Sequence, residues 1–207
     1  LLFNYSYPSR ESREEALFKS SENGHLEIVE ALVNSGVPVD VRNDKEKTPL
    51  HLAVWEGNYT IAVFLLDQGA DVNAVSDFLD STPLGNAIST GYPDYLADGW
   101  TLNDLKLKQA SRLKIVKLLL NQGAEVNYQD DSGMTPIYGA VVDQDLAVVK
   151  VLLAAGANPK IKNELGYNAL DAIQSTVNRY KNLNLAKASA VAKFRKSQAE
   201  RIWSILK

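Results

Sequence analysis

The chain has 207 residues, a formal net charge of −3 and 45% hydrophobic residues, so it is long enough to bury a core and has an ordinary soluble composition. It contains no cysteine, which excludes disulfides and thiolate metal sites, and no run approaches the roughly 18 apolar residues of a membrane span. We therefore expect a soluble protein. Because the chain begins at Leu1 rather than at a methionine, we expect its native N-terminus to be missing, and export is left open.

The charge is distributed unevenly along the chain. Residues 177–207 contain eight basic residues and one acidic residue, a charge of +7, and the rest of the chain therefore carries −10. An acidic body with a basic C-terminal segment favours a partner whose charge is also divided, or self-association.

Four glycines that each follow an apolar run give the chain a period. Gly36, Gly69, Gly123 and Gly156 are separated by 33, 54 and 33 residues, so the middle interval is longer by about twenty residues. Residues 48–73 read TPLHLAVWEGNYTIAVFLLDQGADVN, and Thr-Pro openings recur at positions 82 and 135. A fixed period of this size indicates a stack of repeated units.

This pattern resembles the ankyrin-repeat family, whose T-P-L-H-x-A signature stands at residues 48–53. The resemblance implies an all-α solenoid of about five helix-turn-helix units joined by short β-hairpin loops. We predict a lead-in at 1–12 and units at 13–47 (a cap), 48–81, 82–134 with an insertion at 92–111, 135–167, and 168–207 with an extended basic C-terminal capping helix.

The first three units carry recognisable helix signals. The first unit is predicted to begin with a short helix at residues 15–22. In the second unit Thr48 can cap a helix whose first position is proline. In the third unit we expect a protruding loop and then a lengthened second helix, because Thr101 and Asp104 resemble a capping box. The hairpin at 76–81 has one extra residue.

The last two units depart from the pattern. Gln144 replaces the usual turn glycine, which predicts a strained or reshaped turn. The fifth unit opens at 168–173, and its second helix should start near 182–186 and run to about residue 206. An apolar stripe on that helix should face the stack: Val191, Phe194, Ile202, Ile205 and Leu206, interrupted by Gln198.

Nothing in the sequence assembles an active site, and we predict a non-catalytic protein without cofactor or metal. His51 belongs to the signature, where the resemblance implies hydrogen bonds that brace neighbouring turns. His25 lies at a turn, and the two histidines lack metal-ligand spacing. There is no glycine-rich phosphate loop. Asp130 and Asp131 form an adjacent acidic pair at a hairpin tip, where carboxylates are usually solvated.

In the ankyrin family, partner contacts come mainly from hairpin tips and from exposed positions of the first helix of each unit. Carried onto this sequence, the tip residues are Asp44, Lys45, Lys47, Asp77, Phe78, Asp131, Ser132, Met134, Glu164 and Tyr167, the first-helix residues are Trp55, Glu56, Ser89, Thr90, Val142 and Asp143, and the insertion adds Tyr92, Tyr95 and Trp100.

Five of these residues are apolar or aromatic where a solvated surface would be polar: Trp55, Phe78, Met134, Val142 and Tyr167. Large aromatic side chains dominate interface hot spots, although packing within the stack is the alternative for each one. The insertion either contributes to binding or covers apolar surface of the stack. The basic tail could contact nucleic acid or anionic lipid, but the acidic body favours a solvated outer face.

We therefore expect another protein as the partner, rather than nucleic acid or membrane, with a monomer or a heterocomplex favoured. The leading hypothesis is a scaffold or adaptor that binds through the concave face and the insertion. The alternative is an inhibitor or immunity protein that occludes the active site of a toxin or enzyme. A basic or cation-dependent target would suit the acidic residues of this side: Asp44, Glu56, Asp77, Asp131, Asp143 and Glu164.

Overall fold

The computed structural model describes residues 9–77, 79–88, 101–181 and 188–207, and these residues contain ten helices in five consecutive pairs. The helices are α1 (Arg10–Asn23), α2 (Leu26–Asn34), α3 (Pro49–Glu56), α4 (Tyr59–Asp67), α5 (Pro83–Ile88), α6 (Leu102–Asn121), α7 (Pro136–Val142), α8 (Leu146–Ala154), α9 (Ala169–Lys181) and α10 (Ala190–Leu206).

The helices form two layers. The first helices of the pairs (α1, α3, α5, α7 and α9) contact one another in sequence order, and the second helices (α2, α4, α6, α8 and α10) do the same. One continuous core lies between the layers and extends from Leu17 through Leu50 and Ile137 to Ile173, all of which are fully buried. The prediction of an all-α solenoid is confirmed.

The hairpin tips repeat one hydrogen-bond pattern. The side-chain Oδ1 atoms of Asn43, Asp130 and Asn163 each accept hydrogen bonds from the main-chain N–H groups two and four residues later. Successive tips are joined because the N–H groups of residues 77, 131 and 164 donate to carbonyls of the preceding tip. The tips therefore form one continuous edge of the stack.

The hairpin at 76–81 is longer than the others, as predicted. Ser76 and Ser81 form an antiparallel bridge, and both Leu79 (φ 63°) and Asp80 (φ 43°) lie in the left-handed region. Left-handed backbone is unfavourable for residues with a Cβ atom. The longer hairpin therefore contains two residues in an unfavourable backbone conformation, and the side chains of both are exposed.

His51 links the two ends of the second unit. Its Nδ1 accepts a hydrogen bond from the Thr48 N–H at 3.1 Å, and its Nε2 donates at 3.1 Å to the carbonyl of Ser81, directly before the third unit opens at Thr82. Burial lowers the pKa of His51 to about 4, so the ring is neutral at pH 7. This is the bracing role that the resemblance implies.

The N-terminal prediction is wrong in its boundary. Helix α1 begins at Arg10, within the predicted lead-in and five residues before the predicted start. Ser9 caps it by accepting a hydrogen bond from the Ser12 N–H, and Arg10 pairs with Glu14 at 2.6 Å. The cap and the i,i+4 pair extend the helix beyond its apolar residues.

The lengthened second helix of the third unit is confirmed. Helix α6 has 20 residues, and Thr101 and Asp104 form its capping box. The first ten residues of this helix therefore belong to the predicted insertion 92–111. The predicted protruding loop, at 92–100, lies outside the described residues.

The C-terminal prediction is wrong in its start. Helix α9 extends to Lys181, and α10 begins at Ala190, later than 182–186, because Ser189 caps it through the Ala192 N–H. Val191 and Ile202 of the predicted stripe are buried, but Ile205 is exposed. Helix α10 packs most extensively against α9 and also contacts α6 and α8, so this part of the tail contacts both layers.

Candidate functional site

The candidate site is the surface formed by the first helices and the hairpin tips, which we call the groove. Trp55, near the C-terminal end of α3, lines three cavities of about 280, 220 and 600 Å³, the second of which is also lined by residues of α6. Its side chain is 36% exposed, and the Lys47 Nζ lies 5.3 Å from the ring centroid. Trp55 is thus accessible from several directions and partly held in place by a neighbouring cation.

Most predicted contact residues that the structure describes are exposed. Met134, Val142 and Tyr167 are apolar side chains that are exposed at the surface. Packing of the stack does not explain their exposure, which is typical of a surface that binds a partner. Ser132 and Lys47 are half-buried, and burial lowers the pKa of Lys47. The exposed charged residues are Asp44, Lys45, Glu56, Asp77, Asp131 and Glu164.

Six predicted contact residues cannot be placed, because they lie outside the described residues: Phe78, Ser89, Thr90, Tyr92, Tyr95 and Trp100. The contribution of the insertion's aromatic residues to the groove therefore stays a prediction.

Asp143 differs from the expectation of an exposed acidic contact. Its carboxylate accepts a hydrogen bond from Arg112 of α6 at 2.8 Å, and the Asp143 side chain is only 18% exposed. Burial raises the pKa of Asp143 to about 6, against the opposing attraction of Arg112. Asp143 therefore joins α6 to the turn between α7 and α8.

Two residues at the tips are exposed and apolar but were not predicted as contact residues from the sequence. Leu79 is 45% exposed and Leu165 is 77% exposed. Both could have been found from the sequence, because each is an apolar residue in a hairpin tip that is otherwise mostly polar. Together with Met134 and Tyr167, they give the tip edge an apolar character that charged tips alone would not have.

The tip edge is also acidic. Asp44, Asp77, Asp80, Asp131 and Glu164 are exposed along it. Burial raises the pKa of Asp130, and the negative charges of Asp131 and Asp80 raise it further. Asp80, Asp130 and Asp131 are thus close enough to interact, and the acidic residues of the tip edge together favour a basic partner.

The groove offers contact surface rather than reaction chemistry. Among the described residues, no three His, Asp or Glu side chains are grouped so that they could hold a metal ion. Within the same ranges, every helix is too short or too polar to cross a bilayer. The arrangement can bind through apolar and acidic side chains, and we assign it no catalytic step.

Comparisons with known proteins agree with this architecture. A family described as ankyrin repeats (3 copies) matches residues 1–76 and 107–185, which together are most of the chain. Similar proteins include a putative ankyrin repeat protein of Rickettsia bellii (34% identical; 63% of this chain and 33% of that protein) and a putative ankyrin repeat-containing protein of Treponema pallidum (26% identical; 75% and 46%).

A relative from an animal has a comparable similarity. The mouse B-cell lymphoma 3 protein homolog is 29% identical over 66% of this chain and 26% of its own length. In all three comparisons the chain spans less than half of the relative's length. The family match covers both blocks of helix pairs around the insertion, and the chain belongs to the ankyrin-repeat family.

Proposed function

We propose that this protein is a non-catalytic binding module that holds a protein partner in the groove, as a scaffold or adaptor. Ankyrin repeats generally mediate protein–protein interaction, which supports the general role. The observation that carries the proposal is Trp55, an exposed indole that lines three neighbouring cavities. Accessible tryptophans next to cavities are typical anchors of protein interfaces.

The acidic tips support a second candidate function. An inhibitor that covers a basic or cation-dependent active site would use the same exposed carboxylates, Asp44, Asp77, Asp131 and Glu164. The two functions differ in outcome, because an inhibitor abolishes the activity of its target in a one-to-one mixture and an adaptor leaves that activity intact.

The test is quantitative affinity chromatography on the immobilised chain, with bound proteins measured by mass spectrometry. Three columns carry the wild type, Trp55→Ala, and Lys117→Ala as the matched control. Lys117 is an exposed residue of α6 in the second-helix layer. We expect a defined protein that is retained by the wild type and the control and is depleted at least fivefold on Trp55→Ala, as a hot-spot residue requires. Equal retention on all three columns would contradict the proposal.

A further inference from the structure

A pocket of about 280 Å³ lies in the groove where the third and fourth units meet. Two of its lining residues are glycines. Gly85 occupies the position of His51 in the second unit and Tyr138 in the fourth, and Gly139 occupies the position of Leu52. Both glycines line the pocket, and both lie in helices without a positive φ. Backbone conformation therefore does not require glycine at these positions. A Cβ atom at Gly85 would lie 2.8 Å from Ser81 Oγ, and one at Gly139 would lie 3.2 Å from Ile88 Cγ2, so the glycines permit close packing in the wall of the pocket.

The pocket has apolar walls that a partner can cover. Trp55, Leu79 and Met134 line it and are each exposed by more than a third, and Ile88 and Pro136 lie deeper. The pocket also contains a buried polar group without a hydrogen-bond partner. Asn86 lines the pocket and is 97% buried, as its 3% exposure shows, and its Nδ2 has no hydrogen-bond partner. A buried amide without a partner is unfavourable, and a main-chain group of a bound peptide can satisfy it.

The rim of the pocket is negative. Asp130 lines it, Asp80 follows the lining residue Leu79, and Asp131 follows Asp130. None of these three takes part in a salt bridge with any other described residue. Their negative charges act on one another, since Asp80 and Asp131 both raise the pKa of Asp130 after burial, and Asp80 and Asp130 raise that of Tyr128 after burial. The rim thus combines interacting carboxylates that no salt bridge among the described residues neutralises, although Asp130 also accepts hydrogen bonds from the main-chain N–H groups of Ser132 and Met134.

These features select one kind of occupant. An anionic side chain would be repelled by the rim, and a purely apolar side chain would cover the walls but leave the carboxylates without a counter-charge. Lysine and arginine have a long apolar stem that packs on apolar surface and a cationic head that remains at the rim. Resting on the protein-binding role proposed above, we propose that this pocket is a specificity pocket for a lysine or arginine side chain of the partner peptide.

The chain provides its own reporter for the test. Met134 is the only methionine, so a protein labelled with ¹³C-methyl methionine gives a single methyl signal, and that signal comes from the pocket. The probes are capped tripeptides of the form acetyl-Gly-Xaa-Gly-amide, where Xaa is arginine, lysine, norleucine or glutamate. Each peptide is titrated into the full chain to 10 mM, and the methyl shift gives its Kd.

We expect the arginine and lysine peptides to bind with millimolar Kd, at least about fivefold more tightly than norleucine, and the glutamate peptide not to bind. The double variant Asp80→Asn/Asp131→Asn should remove most of that preference, and the matched control Asp44→Asn, at another tip, should keep it. Trp55→Ala should weaken all binding without unfolding the chain, because Trp55 is a surface residue.

Two results would overturn the pocket proposal: norleucine binding as tightly as arginine, or no methyl shift with any peptide at 10 mM. Either result leaves the protein-binding role untouched if the affinity columns still show dependence on Trp55. Conversely, loss of that dependence would remove the protein-binding role even if the tripeptides bind.

Discussion

Arg112, directly after the predicted insertion, provides the sharpest test of how the lengthened helix α6 is attached to the fourth unit. Its side chain is 4% exposed and lies 2.8 Å from the Asp143 carboxylate and 4.0 Å from the Asp145 carboxylate. Asp145 Oδ2 is buried without a hydrogen bond. Replacing Arg112 by methionine fills a similar volume but removes the cation that pairs with both buried carboxylates, and only the weaker attraction of Arg195 for Asp143 is left. Breaking a buried pair in this way costs about 3–5 kcal/mol of unfolding free energy.

The loss of stability caused by Arg112→Met should also depend on pH. Burial already raises the pKa of Asp143 to about 6, and it raises the pKa of Asp145 as well, while Arg112 opposes both shifts. Without Arg112 these pKa values rise further. A carboxyl whose folded pKa exceeds its unfolded value takes up a proton on folding, so its folded state gains stability as pH falls through that pKa. The cost of Arg112→Met should therefore be larger at pH 8 than at pH 5, by at least about 1 kcal/mol.

The assay is urea unfolding followed by circular dichroism at 222 nm, at pH 5 and pH 8. Lys114→Met is the matched control, because Lys114 is an exposed residue of the same helix and its replacement should cost less than about 0.5 kcal/mol. A loss for Arg112→Met below about 1 kcal/mol at pH 8, or a larger loss at pH 5 than at pH 8, would refute the reasoning.

Three further predictions concern single contacts. Gln144 has φ 57° and accepts a hydrogen bond from the Tyr180 hydroxyl. Both Gln144→Gly and Gln144→Ala lose that hydrogen bond, but only glycine adopts the positive φ without strain. The free energy of unfolding in urea should therefore be about 1 kcal/mol higher for Gln144→Gly than for Gln144→Ala. Leu105 lies in the small core between α6 and α10, so Leu105→Ala should lower the free energy of unfolding by about 2–3 kcal/mol and speed amide hydrogen exchange in α10. Leu107 is exposed, so Leu107→Ala should lower it by less than about 0.5 kcal/mol. Equal effects of the two substitutions would contradict this packing. The pKa of His51, about 4, lies below the ordinary value of 6.5, so the unfolded chain takes up a proton at this residue before the folded chain does. The stability linked to neutral His51 is therefore complete above pH 6.5, and the free energy of unfolding should be lower by roughly 2 kcal/mol at pH 4.5. His51→Gln should lack this pH dependence when thermal unfolding is measured across the same pH range.

The regular part of the fold could be predicted because it depends on local signals. The spacing of Gly36, Gly69, Gly123 and Gly156, together with Thr-Pro at unit openings, predicts paired helices, and the capping box at Thr101 predicts the start of α6. The early start of α1 and the late start of α10 were missed because serine caps, rather than apolar periodicity, determine them.

The candidate site was less predictable because its properties arise between units. Arg112 and Asp143 are 31 residues apart, and only the stacking of α6 on the α7–α8 turn shows that Asp143 is paired. The pocket beside Trp55 is likewise lined by residues of three different units, among them Gly85 and Gly139. Gly85 and Gly139 were visible in the sequence as departures from the bulky residues of other units, and comparing units position by position is the signal that could have found the pocket.

The groove as the partner-binding surface is tested most directly by calorimetry with the protein retained on the affinity column. The wild type, Trp55→Ala and Lys117→Ala are titrated with that protein under the same conditions. We predict that Trp55→Ala weakens binding by more than about 1 kcal/mol and that Lys117→Ala leaves it unchanged. A smaller loss for Trp55→Ala, or a larger one for Lys117→Ala, would place the interface outside the groove.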